Sequence, residues 1–367
     1  MSAEASGSGA LERVVIAMSG GVDSSVAAAC VTDGGFEAIG VTMNLSGATS
    51  RCCSLEDADD ARSVASNLGI RFFVANYIEE FREEVIDRFA DSYLRGRTPI
   101  PCVACNKRFK FDLLLARARV FGASRVATGH YARIDRDPET GLFRLLRARD
   151  HQKDQTYYLF QLDQEQLAQA WFPLGELTKA EVRARARALG LVTAEKPESQ
   201  EICFVPDGNY KRVVEALRPE AREAAGDIVD LAGRVLGRHE GIHGYTVGQR
   251  RGLGLSSERP LFVVSLDALR NRVVVGGVED LGSRSISVGE VSWVAGGPPE
   301  PPVRACVRVR SRHEGALADL EPRPDGSVHV HFDDPVRAVA PGQAAVFYGG
   351  EKGEVVLGGG FIESSLS

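Results

Sequence analysis

A short loop rich in glycine and serine is the first segment of this sequence that could do chemistry. Residues 19–25 read SGGVDSS and lie between an apolar run, Arg13–Met18, and small residues typical of a helix. Glycines allow a tight turn and close approach of a ligand, and the first N–H groups of a helix point at anions. The Walker pattern GxxxxGK[ST] occurs nowhere in the chain. Glycines alone are typical of any turn, but the whole string favours a phosphate-binding loop for ATP.

Cysteines are the second source of chemistry. The chain has seven, at positions 30, 52, 53, 102, 105, 203 and 306. An odd number behind an N-terminus that does not resemble a secretion signal argues against a disulfide framework. Cys102 and Cys105 precede a predicted helix, 108–121, and lie beside Lys107 and Arg108, which favours the thiolate. A lone CxxC is also typical of a redox pair or half a zinc site, but no second pair completes a zinc set.

The pattern of elements that must position these residues changes once along the chain. Strand and helix signals alternate from residue 13 to about 205, which predicts an α/β domain with a parallel sheet. Beyond 206, short β-like runs separated by Gly/Pro turns predict antiparallel structure, ending in a small β-barrel. We therefore expect four segments: a disordered tail 1–12, a catalytic domain 13–205, a small central domain 206–275 and a C-terminal β-barrel 276–367.

Composition excludes few functions. The 367 residues carry a net charge of −6, which argues against a purely electrostatic nucleic-acid binder but allows a local basic face. Arginines at 304, 308, 310 and 312 would share one face of a strand and form a basic stripe, although a solvated strand face has the same pattern. Short apolar runs and a polar N-terminus predict a cytoplasmic protein that does not bind membranes.

Seven motifs reveal a resemblance that covers nearly the whole chain, from residue 14 to about 363. They occur in this order: SGGVDSS, GRTPIPCVACNKRFKF, ATGHYAR, KDQTYYLF, SQEICF, HGYTVGQRRGLG and RAVAPGQAAVFY. With them the chain resembles the tRNA-specific 2-thiouridylases of bacteria and mitochondria, which belong to the PP-loop ATPase superfamily. The resemblance implies a PP-loop fold that cleaves ATP between the α and β phosphates, followed by a central domain and a barrel that contact tRNA.

The same resemblance assigns candidate site residues. It implies that Cys105 is the nucleophile and that Cys203 receives a persulfide. The implied ATP-binding residues are Ala17, Met18, Ser19, Gly20, Gly21, Val22, Asp23, Ser24, Met43 and Gly129, with Asp23 helping to position the loop and Mg²⁺. The implied contacts with the flipped target base are Ile100, Pro101 and Cys102. The implied tRNA contacts are Lys153, Asp154, Gln155, Arg310 and Ser311, and Gln249–Arg251 is a further candidate.

Two sulfur chemistries are open at this point, because Cys102 stands where many members of the family have Asp. In one, the Cys203 persulfide gives up its sulfur and Cys105 resolves the intermediate as a disulfide. In the other, Cys102, Cys105 and Cys203 hold a [4Fe–4S] cluster that carries sulfide. The family also implies tRNAs for Lys, Glu and Gln as substrates. It implies that a sulfur-relay protein or a cysteine desulfurase is the donor.

Two other functions compete with this interpretation. A PP-loop enzyme acting on a small molecule, such as an argininosuccinate or GMP synthetase, needs neither Cys105 and Cys203 nor the β-rich residues 206–367. A non-catalytic RNA-binding or iron–sulfur protein would not need the complete loop Ser19–Ser25. The sequence therefore favours the thiolation enzyme over both.

Overall fold

The computed structural model describes residues 11–45, 55–198, 202–205, 207–350 and 352–366. The predicted tail therefore lies almost entirely outside the described residues, as do Cys52 and Cys53. Among the residues described, no helix combines the length and the apolar character that crossing a membrane requires.

The N-terminal domain is built on a five-stranded parallel sheet with the order β3-β2-β1-β4-β7. Its central strand β1 is buried from Val14 to Ala17, as the apolar run of the sequence predicts for a strand covered on both faces. Its strands are Arg13–Ala17 (β1), Glu37–Asn44 (β2), Arg71–Asn76 (β3), Arg125–Thr128 (β4) and Ala170–Trp171 (β7). The predicted α/β fold with a parallel sheet is confirmed.

Helices cover this sheet and lead into the central domain. They are Val22–Asp33 (α1), Leu55–Asn67 (α2), Ile78–Phe81 (α3), Arg88–Leu94 (α4), Pro101–Ala104 (α5), Leu114–Val120 (α6), Gln164–Gln169 (α7), Lys179–Ala188 (α8) and Tyr210–Leu217 (α9). Segments with π-helical hydrogen bonding, Arg82–Asp87 and Cys105–Leu113, join α3 to α4 and α5 to α6.

The second half of the chain is mostly β structure, as predicted, but the expected antiparallel arrangement does not hold throughout, because β8 (Gly226–Asp230) and β11 (Arg272–Gly276) pair in parallel. A four-stranded sheet with the order β10-β11-β8-β9 comprises Gly226–Asp230 (β8), Val235–His239 (β9), Phe262–Asp267 (β10) and Arg272–Gly276 (β11). A closed six-stranded antiparallel barrel follows, because β12 pairs with both β15 and β17. Its strands are Gly282–Trp293 (β12), Val303–Arg308 (β13), Ala316–Pro322 (β14), Val328–Arg337 (β15), Ala344–Gly349 (β16) and Val355–Leu366 (β17).

A hairpin of the N-terminal domain extends the sheet of this barrel. Strands Ala132–Arg136 (β5) and Phe143–Arg147 (β6) pair with each other, and β6 pairs with β17 through Leu145 and Leu146. The hairpin directly follows β4 in the chain. It therefore ties the catalytic domain to the barrel through backbone hydrogen bonds.

A buried ion pair reinforces that connection. Asp154 has a side chain only 1% exposed, and its Oδ2 accepts hydrogen bonds from Arg308 at 3.1 Å and from Arg147 at 3.2 Å. The Arg308 guanidinium also lies over the rings of Tyr157 and Tyr348, at 5.8 and 5.7 Å from their centroids. Asp154 thus joins the N-terminal domain to β13 of the barrel.

The expected basic stripe is wrong for two of its four arginines. Arg308 is buried, and Arg304 forms ion pairs with Asp319 and Asp333. The cause is that β13 ends at Arg308, where the N-terminal domain covers the outer face of the barrel. Arg310 and Arg312, both exposed, lie beyond the strand.

Replacing Asp154 with Asn should lower the free energy of unfolding by about 3 kcal/mol, because the buried Arg308 charge would lose its carboxylate. Denaturant unfolding of the purified protein measures this change. Asp135→Asn is the matched control, since Asp135 pairs with Arg144 at an exposed position and should change stability little. Equal stability of the two variants would contradict the anchoring role of Asp154.

Candidate active site

The glycine–serine loop turns between β1 and α1 and presents the first turn of α1. Gly20 has a positive φ of 70°, and a Cβ there would lie 2.1 Å from the Asp57 carbonyl oxygen. The hydroxyls of Ser24 and Ser25 donate to the Gly21 carbonyl at 3.0 and 2.9 Å. These two serines therefore fix the shape of the loop, while the helix N–H groups remain the natural phosphate donors.

Gly129 packs against the same loop from the end of β4. A Cβ at this position would lie 2.7 Å from the Ser24 backbone nitrogen and 2.8 Å from the Asp23 carbonyl carbon. Only glycine lets the two segments approach so closely. Met43, buried near the end of β2, lines the same cavity as Gly129, and its apolar side chain suits the face of a base.

The helix that carries Cys102 and Cys105 begins earlier in the chain than the sequence predicts. The expected helix starts at 108, but α5 starts at Pro101 and continues through the π-helical segment from Cys105. Proline suits the first helical position because it has no N–H to satisfy there. Cys102 thus lies in the first turn and is exposed, and Cys105 lies one turn later and is half-buried.

The segment carrying Cys203 is anchored by its neighbour. Phe204 is buried and packs edge-on against Phe81 and Phe89, with ring centroids 6.0 and 5.1 Å apart. Cys203 itself is half-buried at the edge of the same apolar cluster, which Cys105 also contacts. Residues 199–201 of the SQEICF motif lie outside the described part of the chain.

One cavity of about 320 Å³ joins the loop to the cysteines. The candidate residues lining it are Ala17, Met18, Ser19, Asp23, Ser24, Met43, Pro101, Cys102, Cys105, Gly129, Gln155 and Cys203. The candidates outside its lining are Gly20, Gly21, Val22, Ile100, Lys153, Asp154, Arg310 and Ser311. A nucleotide on the loop and a reactant facing the cysteines would therefore share one cavity.

A lysine and a histidine that the sequence did not single out also line the cavity. The His130 Nε2 lies 3.2 Å from the Lys110 Nζ, and its Nδ1 lies 2.7 Å from the Thr128 Oγ1. Burial and the Lys110 charge hold the pKa of His130 well below its usual value of 6.5. The neutral ring therefore accepts a hydrogen bond from Lys110 and fixes this cation beside the cavity.

A second ionic network connects the loop to the Cys203 segment. The Lys179 Nζ lies 2.8 Å from both carboxylate oxygens of Asp23 and 2.9 Å from Glu198. The other Glu198 oxygen accepts from Lys153 at 2.7 Å. Burial would raise the pKa of Glu198, but the hydrogen bonds from Lys153 and Lys179 outweigh it and lower the pKa to about 2. Asp23 also accepts a hydrogen bond from Tyr131.

Lys179 could have been located from a local signal. Thr178 and Glu181 form a reciprocal capping box at the start of α8, which places Lys179 at the first helical position. The ion pair of Lys179 with Asp23 could not have been predicted locally, because Asp23 is 156 residues away in the chain.

The barrel holds the segment that precedes Cys102. The Thr98 backbone N–H donates to the Pro341 carbonyl at 2.8 Å, and the Gln343 side chain donates to the Thr98 carbonyl at 3.0 Å. Tyr158 is half-buried, and its pKa is raised by burial and by the nearby Cys102, against hydrogen bonding from Ser311. Ser311 and Cys102 thus both lie near Tyr158, which places the barrel turn after β13 near the cavity.

The remaining residues proposed to contact tRNA differ in exposure and in their hydrogen bonds within the protein. Arg310 is exposed, although one of its nitrogens donates to the Arg337 carbonyl. Gln155 lines the cavity and accepts a hydrogen bond from the Tyr131 backbone N–H at 2.9 Å. The Asp154 carboxylate is enclosed by arginines, so its side chain positions neighbours in this conformation.

Three family models match consecutive parts of the chain. They describe a tRNA methyl transferase HUP domain at residues 12–207, a tRNA methyl transferase PRC-barrel domain at 215–277 and an aminomethyltransferase beta-barrel domain at 283–362. The matches follow the order of the parallel sheet, the four-stranded sheet and the closed barrel described above.

Curated relatives match nearly end to end. The tRNA-specific 2-thiouridylase MnmA of Solibacter usitatus is 50% identical, over 96% of this chain and 99% of its own length. The protein of the same name from Geobacter metallireducens is also 50% identical, over 98% of both chains. A third, from Geotalea uraniireducens, is 48% identical over 97% of this chain and 96% of its own. The chain therefore belongs to the tRNA-specific 2-thiouridylase family.

Proposed function

We propose that this protein uses ATP and a cysteine-borne sulfur to convert the wobble uridine of tRNA to 2-thiouridine. The observation that carries the proposal is the single cavity lined by the loop residues Ser19 and Asp23, by Met43, and by Cys105 and Cys203. The nucleotide must reach the O2 of the base and the sulfur nucleophile must reach the adjoining C2, and this cavity supports both.

ATP activates the base in the first half of the reaction. The uracil O2 attacks the α-phosphate, a new P–O bond forms, and pyrophosphate leaves while the first turn of α1 holds its charge. Mg²⁺ would neutralise the phosphate charge when bound. The carboxylate of Asp23, which lines the cavity, is the group that could hold it. Lys110 places a cation in the cavity lining, and Lys179, which does not line the cavity, pairs with the lining residue Asp23.

Sulfur replaces the oxygen in the second half. The terminal sulfur of a Cys203 persulfide attacks C2, and AMP departs with the oxygen. The Cys105 thiolate then attacks the Cys203 Sγ and breaks the S–S bond, whose electron pair remains on the sulfur bound to C2. The products are 2-thiouridine and a Cys105–Cys203 disulfide, and an external dithiol must reduce that disulfide before the next turnover.

The cysteine set also fits the alternative that the sequence leaves open. Cys102, Cys105 and Cys203 all line the cavity, so three thiolates could hold a [4Fe–4S] cluster that would supply sulfide when bound. We favour the persulfide because Cys105 and Cys203 are half-buried and contact one apolar cluster, whereas Cys102 is exposed in the first turn of α5.

The tRNA would enter past the barrel. Ile100, Pro101 and Cys102 are the proposed contacts with the flipped base, because Pro101 and Cys102 line the cavity and Ile100 directly precedes them. Arg310 and Ser311 after β13, together with Lys153 and Gln155, are proposed to bind the anticodon arm. The proposed substrates are tRNAs for Lys, Glu and Gln, and the proposed donor is a relay protein or a cysteine desulfurase.

A single-turnover experiment tests the two sulfur routes. Protein carrying a persulfide on Cys203 is mixed with ATP and tRNA, then digested for mass spectrometry under conditions that preserve disulfides. The persulfide route predicts one Cys105–Cys203 disulfide for each 2-thiouridine formed, in a protein free of iron. Product formed only by iron-containing protein, without that disulfide, would establish the cluster route instead.

Lys179→Met should raise the ATP concentration needed for half-maximal activity by about tenfold or more, because Asp23 and Glu198 lose a shared charged hydrogen bond. The KM for ATP and kcat are measured with saturating tRNA. Lys211→Met is the matched control, since Lys211 lies on α9 with its ammonium group over the Tyr245 ring and does not pair with Asp23 or Glu198. Unchanged KM with Lys179→Met, or failure of Lys179→Arg to restore part of it, would contradict this role.

A further inference from the structure

Two histidines and a glutamate meet on the outer face of the C-terminal barrel. His329 and His331 alternate along β15 with the buried residues Val328, Val330 and Phe332, so both imidazoles point away from the barrel core. Glu321, on β14, is directly opposite His329 in the antiparallel register. None of these three side chains lines the active-site cavity.

Their potential ligand atoms are close together. One nitrogen from each histidine and one carboxylate oxygen of Glu321 all lie within 4.8 Å of one another. The His331 Nε2 and the Glu321 Oε2 are 3.5 Å apart. Ligand atoms around a tetrahedral ion at about 2.0–2.2 Å are separated by roughly 3.3 Å, so small side-chain rotations would complete the site. Within the described part of the chain, no other trio of His, Cys, Asp or Glu meets this spacing.

Neighbouring residues orient two of the three ligands. The Ser285 Oγ lies 3.0 Å from the His331 Nδ1, so Nδ1–H can donate to it and leave Nε2 as the electron-pair donor. Arg323 donates to the Glu321 Oε1 at 2.6 Å and leaves Oε2 facing His331. Hydrogen bonds to the second atom of a ligand are the usual support of metal-binding imidazoles and carboxylates.

Nearby acidic residues are already engaged. Asp319, which is opposite His331 in the register, and Asp333, two residues after His331, both pair with Arg304. The positive charge of Arg323 is balanced in part by Glu321. The cluster therefore offers one nitrogen from each histidine and one carboxylate oxygen.

We propose that Glu321, His329 and His331 bind a divalent first-row transition-metal ion, for which Zn²⁺ is the probe. Two imidazoles and a carboxylate are a donor set that Zn²⁺ prefers over the all-oxygen sets of Mg²⁺ and Ca²⁺. The remaining coordination positions face solvent and take water. Since the ligands come from β14 and β15, the ion links two barrel strands and stabilises the folded barrel.

Zn²⁺ titration of the full-length chain tests this site. The protein carries no polyhistidine tag, and its thiols are alkylated so that the cysteines of the cavity cannot bind the ion. Isothermal titration should show one Zn²⁺ per chain. Both His331→Ala and Glu321→Gln should weaken that binding by about tenfold or more. Mg²⁺ at the same concentration should produce no comparable heat.

His151→Ala is the matched control, because His151 is exposed in a turn of the N-terminal domain and does not belong to the cluster. Its affinity for Zn²⁺ should equal that of the unchanged chain. Circular dichroism confirms that each variant is folded before titration, and His329→Ala provides a third, independent ligand deletion. Absence of binding in the unchanged chain, or equal affinity in all the ligand variants, would overturn the proposal.

Discussion

Cys105→Ser and Cys203→Ser should each reduce 2-thiouridine formation by at least roughly a thousandfold, because a hydroxyl cannot carry or resolve a persulfide. The two variants should nevertheless differ in mechanism. Cys203→Ser removes the sulfur carrier, whereas Cys105→Ser leaves a chain that accepts sulfur but cannot release it from Cys203. A Cys203-linked tRNA adduct should therefore accumulate only with Cys105→Ser. Both are measured by nucleoside analysis and by gel shift under denaturing, non-reducing conditions.

Two further substitutions make the cysteine result specific. Cys30→Ser and Cys306→Ser are matched controls, because these cysteines are partly buried and do not line the cavity. Both should keep most of the activity. Cys102→Ala separates the two sulfur routes, since it should remain largely active with a persulfide but lose activity with a three-thiolate cluster. Full activity of Cys105→Ser or Cys203→Ser would rule out the proposed sulfur transfer.

Gly20→Ala should abolish ATP-dependent activity, with loss of ATP affinity by about tenfold or more. Two costs add at this position. The residue has a φ of 70°, which costs an L-residue roughly 1–2 kcal/mol, and its Cβ would overlap the Asp57 carbonyl oxygen at 2.1 Å. Because that oxygen belongs to the backbone, the loop must move and its N–H groups would no longer converge on phosphate. ATP binding by isothermal titration measures the effect.

Gly35→Ala isolates the steric part of this prediction. Gly35 has a similar φ of 79°, but a Cβ there meets nothing within 4 Å. The control should therefore lose some stability and keep ATP binding. If both variants bound ATP as the unchanged chain does, the loop would not be the phosphate site.

The elements that the sequence predicted well are those determined by local pattern. The buried strand β1, the glycine loop and the helix after it follow from apolar periodicity and turn chemistry within about 20 residues. The resemblance then assigned Cys105 and Cys203 to one reaction. In the structure both cysteines line the cavity that Ser19 also lines. The change from the α/β domain to a β-rich second half was predictable because it alters the spacing of Gly/Pro turns, but the parallel pairing of β8 with β11 was not.

Local sequence patterns could not predict the long-range contacts. The hairpin of β5 and β6 joins the barrel through Val355, more than 200 residues later in the chain. Arg308 looked like part of an exposed stripe because its partner Asp154 is 154 residues away and covers the outer face of β13. Likewise, nothing local shows that Lys110 meets a neutral, buried His130, because burial depends on the packed domain.

The most direct test of the central claim is the balance between ATP cleavage and thiolation in the purified chain. Protein, tRNA, Mg²⁺, a persulfide donor and α-labelled ATP are incubated, and AMP is counted against 2-thiouridine at the wobble position. We expect one AMP for each 2-thiouridine, and no 2-thiouridine without ATP. Thiolation without ATP, or AMP formation with no thiolated tRNA, would contradict it.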